Sequence, residues 1–258
     1  MKYALFFLLL FASLLKAETI TVVADEWCPY NCTDDGNGNQ GFLIDIVTAV
    51  FGKIGYNVHF ISSDSWEKAV KSVRAHKYDA IIGASREEVP DFIFPTIPLA
   101  YSYDILLVSK ELKWEYSSID AFPSLVLGGV KGYVYDDEIS EYISRHENNA
   151  SRVQLISGKG TLKYNLKKLK YKKITALIDD QLSIKYFYHQ RKKAMPFKTI
   201  KRFETYPLHI AFSPNNYKSK KYSELLKMGL KKLRGSHEMH QILKKYGLKE
   251  KDILSPAR

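Results

Sequence analysis

The chain has 258 residues, 45% of them hydrophobic, and carries 39 Lys and Arg against 28 Asp and Glu, a net charge of +11. That length suits one large domain or two lobes of ordinary size. Beyond the first residues no segment is long and apolar enough to cross a membrane as a helix.

Lys2, the apolar run Ala4 to Leu15 and the small residue Ala17 predict an export signal over residues 1–17. The run is too short to cross a bilayer, and no Cys follows it to carry a lipid anchor. The exported chain is expected to begin near Glu18 and to be soluble. Thr19 to Ala24 reads as a first, β-branched strand, and Glu26 to Gln40 as a loop rich in Asn, Asp and Gly. The chain's two cysteines, Cys28 and Cys32, stand there in WCPYNC. An even, small count in an exported chain predicts a disulfide across a tiny loop. The redox alternative usually has one residue fewer between its cysteines.

From Gly41 the pattern turns helical. Leu43, Ile46, Val47, Val50 and Ile54 form one apolar face, and Gly55 closes it. Asn57 to Ile61 is a short strand. Trp66, Ala69, Val70 and Val73 are the buried stripe of a second helix, with Asp64 and Glu67 spaced as N-cap and N3 residues. YDAIIGAS then reads as a buried parallel strand. This alternation implies an open α/β sheet, in which ligands bind beyond the carboxyl ends of the strands; Ala84, Ser85 and Arg86 fall at such an end.

PDFIFPTIP, residues 90–98, is an ordered connection, because its prolines fit neither a helix nor a central strand. Strands are expected over Tyr103 to Ser109, Leu125 to Val130, Arg152 to Ile156, Ile174 to Ile178 and Pro207 to Ser213. Helices are expected over Asp136 to Ser144, through the Lys-rich segment after Lys163, and twice after Ser213. The lysines cluster in Lys163 to Lys173 and Tyr217 to Lys251. Leu162, Leu166 and Leu169 make a buried stripe in the first, and Tyr222, Leu225, Leu226, Leu230 and Leu233 in the second. The lysines then occupy wet helix faces, which argues against nucleic-acid binding. His237 and His240 share a helix face without a third ligand, so no metal site is expected.

The ordered series GF-x-x-DI…G…W…A…YDAIIG resembles the first lobe of family 3 extracellular solute-binding proteins, the periplasmic receptors of polar amino acid ABC transporters. The resemblance covers nearly the whole exported chain. It implies an α/β, two-lobe periplasmic binding protein fold of type II, each lobe a mixed sheet flanked by helices, with two crossing strands between them. Lobe 1 would hold residues 18–108 and 211–258, and lobe 2 residues 109–210. It also implies a monomer that closes on a small-molecule ligand and docks on an ABC permease, with no cofactor.

Four loops should meet in the cleft. Trp27 and Tyr30 are similar to the family's aromatic wall; the competing reading packs both rings in the core. Ser85 stands where the family has Ser or Thr. The family's carboxylate-binding Arg is missing from its usual place, and Arg86 is the candidate to replace it; otherwise it is a surface residue paired with Glu87 or Glu88. Tyr133 and Val134 replace the family's Ser or Thr after Gly132. Asp179 matches the family's Asp, which accepts from the ligand's amino group, while Asp180 caps the following helix. The resemblance thus implies ligand contacts from Trp27, Tyr30, Ser85, Arg86, Tyr133 and Asp179 in a larger, more aromatic pocket. The expected function is binding of an amino acid or a related amine or organic acid. The alternatives are a dehydratase-like enzyme, with Asp179 and Glu26 as an acid/base pair, and a ligand sensor docked on a membrane receptor.

Overall fold

The computed structural model describes residues 17–33 and 38–254; the expected export signal lies outside the described residues except for Ala17. The chain begins with β1 (Glu18–Ala24), α1 (Phe42–Gly52), β2 (Tyr56–Ser62), α2 (Trp66–Arg74) and β3 (Ala80–Ala84). It crosses through β4 (Ala100–Ser109) into β5 (Leu127–Val130), α3 (Asp137–His146), β6 (Val153–Ile156), α4 (Thr161–Lys170), β7 (Ala176–Asp180) and α5 (Gln181–Gln190). The long β8 (Phe197–Phe212) returns, and α6 (Ser219–Leu233), α7 (His237–Lys244) and α8 (Glu250–Leu254) follow.

The strands lie in the order β2-β1-β3-β8-β4-β7-β5-β6. Each end is a parallel trio, β2-β1-β3 and β7-β5-β6. Antiparallel β8 and β4 join them, paired from Ala100↔Leu208 to Ser109↔Phe197. Each trio is covered by helices on both faces, which produces two cores and therefore two lobes. In the first, α1, α6 and α7 bury Leu43, Val47, Leu226 and Leu243 on one face, and α2 buries Val73 against Ile81 on the other. In the second, Leu106, Phe122, Leu127 and Ile139 fill one face, and Leu166, Leu169, Leu177 and Ile184 the other.

Three local expectations change. Ser65, not Asp64, caps α2 by accepting from the Lys68 amide, and Asp64 instead pairs with Lys68 in solvent. Ile54 lies beyond the end of α1 and is exposed, so the buried stripe stops at Val50 and Phe51. β8 is 16 residues long, more than twice the run foreseen. Its first half, KTIKRFET, has weak strand character by itself and is held by the ladder to β4.

Candidate functional site

The turn bearing Trp27 is fixed from below. The carbonyl of Trp27 accepts from the amides of Tyr30 and Asn31, and a disulfide joins Cys28 to Cys32. α1 has no side-chain cap. Its first amides, those of Phe42 and Leu43, donate to the carbonyls of Pro29 and Tyr30. The turn thereby satisfies groups that a helix start leaves unpaired. Gly41, at φ +99°, makes this approach possible, since a Cβ there would lie 2.3 Å from the Tyr30 carbonyl oxygen.

Tyr30 stands behind Trp27, not on the cleft wall. It is fully buried, its ring stacked 4.1 Å from that of Trp27. Its hydroxyl donates to Asp180 Oδ2 at 2.9 Å, and the Ser102 hydroxyl donates to the same oxygen at 2.6 Å. Asp180 Oδ1 accepts from the Ser183 amide, so Asp180 caps α5 as expected from its position and is fully engaged in structure.

Asp179 differs. It sits at the end of β7 and is 5% exposed. Oδ1 accepts from the Asp180 amide, but buried Oδ2 has no partner. Burial, with the Asp180 charge beside it, raises its pKa to about 7.

Two chambers share Trp27 and Tyr133, which line both. The two rings meet edge to face at 6.4 Å, and the Tyr133 hydroxyl, from the second lobe, donates to Asp25 of the first. The smaller chamber, about 270 Å³, holds Asp179, Glu26, Ser183 and Tyr186, with Lys163 and Arg191 also on its wall. The larger, about 450 Å³, carries seven carboxylic acids: Asp25, Glu87, Glu88, Asp104, Asp136, Asp137 and Glu204. No Lys, Arg or His lines it among the described residues. Asn31 is 1% exposed on its wall, and Asn31 Oδ1 has no partner. Burial raises the pKa of Asp25 and of Glu88, and raises that of Asp104 well above its ordinary value, with the charges of Asp180, Asp179 and Asp136 adding to the last.

Ser85 lines the larger chamber but is engaged locally. Its amide donates to Glu88 Oε2, and its hydroxyl accepts from the Glu88 amide, a reciprocal cap at the turn after β3. Arg86 lines neither chamber. Its guanidinium donates to the Pro95 carbonyl at 2.7 Å and covers the Phe94 ring, neither gripping a cleft anion nor pairing with Glu87 or Glu88. The structure therefore brings Trp27, Tyr133, Ser85 and Asp179 to the chambers, and places Tyr30 behind them and Arg86 outside.

Sequence reasoning passed over Asn31, Asp25, Asp104 and Glu204. A signal for Asp104 existed: it is the single carboxylate within the apolar strand YDILLVS. A charge placed in such a strand is costly unless something compensates it.

The profile of bacterial extracellular solute-binding proteins, family 3, matches residues 20–249, and the chain belongs to that family. No curated protein matches the sequence significantly. Among solved structures, a mutant of ArgBP from T. maritima superposes with a TM-score of 0.69 at 16% identity, over 89% of this chain and 95% of that one. A histidine kinase sensor domain described as similar to periplasmic binding proteins gives 0.73 at 16%, over 93% and 99%. The ancestral amino acid-binding protein AncCDT-1, a precursor of cyclohexadienyl dehydratase, gives 0.66 at 15%, over 88% and 95%. These likenesses confirm the two-lobe α/β fold.

Proposed function

We propose that this protein is an exported, periplasmic receptor that closes its lobes on a small organic cation, an amine or basic amino acid, and delivers it to an ABC permease. One observation carries the reading. Every ionisable Asp, Glu, Lys, Arg or His on the larger chamber's wall is an acid, although the chain as a whole has a net charge of +11. A cavity of one sign concentrates solutes of the other. The unpartnered oxygens of Asp179 and Asn31 support it, because both call for donors on the ligand. Arginine-bound ArgBP is among the structural neighbours.

In this reading Asp179 receives the cationic group, Trp27 and Tyr133 cover the stem, and Tyr30 and Ser85 hold the walls. β4 and β8 connect the lobes. Leu106 and Val108 pack in the second core and Leu208 in the first, which supports a crossover near Asp104 and Thr205, in both strands a few residues before the boundaries expected from sequence. The receptor works as a monomer without catalysis. The test is a thermal-shift screen of amines, amino acids, guanidino compounds and organic acids. Cations should raise the melting temperature; a response confined to anions would overturn the reading.

The sensor-domain neighbour favours a second role, presentation of the bound solute to a signalling receptor in place of a permease. Uptake of labelled ligand by cells lacking the protein separates the two: transport fails in the first case and continues in the second.

A further inference from the structure

The ladder between the crossing strands shifts register twice, and the shift between Tyr103 and Ile105 falls inside the cleft. Tyr103 pairs with Thr205 and Ile105 with Arg202, so Asp104 on β4 faces two residues, Phe203 and Glu204, on β8. This is a β-bulge, a device that re-aims side chains and recurs beside binding sites. All three bulge residues line the larger chamber. Asp104 is 4% exposed and makes no hydrogen bond or ion pair among the described residues. The charged groups acting on it are all acids: Asp180, Asp179 and Asp136. A buried carboxylate normally has a partner. Here the chain supplies none and turns the group toward an open chamber.

Asp104 and Asp179 lie on neighbouring strands, one residue out of register, with Asp104 opposite Asp180 and Ile105 opposite Asp179. Yet they line different chambers, which share Trp27 and Tyr133 as common wall residues. A ligand with one positive charge satisfies one carboxylate and leaves the other bare.

We infer that the bulge at Asp104, Phe203 and Glu204 is a second cation subsite, and that the solute is a linear organic dication, with two ammonium or guanidinium groups joined by an aliphatic stem. This rests on the cation-receptor reading above. One head meets Asp179 in the smaller chamber and the other meets Asp104 and Glu204 in the larger. The stem crosses between them along Trp27 and Tyr133. Aromatic faces suit both the stem and the flanking charges.

Calorimetric titration with cadaverine and with pentylamine tests this. The two probes share a stem and differ in the second ammonium. Wild-type protein should prefer cadaverine by about tenfold or more, since a second charge-assisted contact away from bulk water is a strong one. Asp104→Asn, which keeps the side chain's volume, should remove most of that preference. Glu204→Gln, at an exposed position that the fold does not depend on, should reduce it in part and decides the matter if the first variant does not fold. Equal binding of both probes to the wild type overturns the second subsite, as does a preference unchanged in the folded variants. L-Arginine and L-lysine are titrated alongside. If they bind with no dependence on Asp104 or Glu204, the receptor reading stands and this inference fails. If neither amine and neither amino acid binds, both fail.

Discussion

The hydroxyl of Tyr30 reaches Asp180 Oδ2 at 2.9 Å, across 150 positions of sequence. It ties the turn that presents Trp27 to the strand end that presents Asp179. The residues facing the chambers are thus positioned by a buried polar contact one layer behind them.

Tyr30→Phe removes that contact and keeps the ring. Asp180 retains Ser102 and Ser183 as partners, so the loss should be close to that of one hydrogen bond, about 0.5–1.5 kcal/mol. Urea denaturation measures it. A loss above about 3 kcal/mol would mean that the hydroxyl supports more than its contacts with Asp180 and, at 3.2 Å, Ser102 Oγ.

Asp179→Ala should weaken binding of the cationic ligand by about 2–5 kcal/mol, because it leaves a buried ligand charge unpaired. Trp27→Ala should cost less, about 1–3 kcal/mol, through lost apolar burial. Titration calorimetry ranks the two. Unchanged affinity in Asp179→Ala would move the cation's anchor elsewhere in the cleft.

Stability should depend on pH in a definite direction. Asp179 titrates at about 7 in the folded protein against 3.8 as a free side chain, so the folded state holds its proton more tightly. That stabilisation is fully present below about pH 3.8 and is lost as pH rises through about 7. Asp25, Glu88 and Asp104 are shifted the same way, each mainly by burial. The unliganded protein should therefore melt higher at about pH 5 than at about pH 8, and Asp179→Asn should flatten the difference. Affinity for a cation should move oppositely, rising with pH as Asp179 ionises. Melting curves and titrations across this range check both signs.

Gly41→Ala should damage binding without touching the cleft. Its φ of +99° is strained for any other residue, and the added Cβ would collide with the Tyr30 carbonyl. The turn must shift, and Trp27 and the first amides of α1 shift with it. We expect a loss of stability above about 1 kcal/mol together with weaker binding. Unchanged affinity in the folded variant would show that the position of Trp27 does not depend on this junction.

The sequence by itself determined the alternating α/β order, the helix stripes of α1, α2, α4 and α6, the cap at Asp180 and the pairing of two cysteines. These rest on local periodicity and on residues close in the chain, which one sequence contains. The cleft was legible only where the family resemblance put a residue in a loop, as with Trp27, Ser85, Tyr133 and Asp179. The tertiary structure alone decided that Tyr30 lies behind the wall and that Arg86 turns to Pro95. It alone extended β8 to 16 residues and gathered seven acids around one chamber of a basic chain. The reason is physical: the acids come from five separate segments, and the bulge at Asp104 exists only in the pairing of β4 with β8. Which side chains share a cavity depends on contacts across tens to hundreds of positions, and no local pattern encodes them.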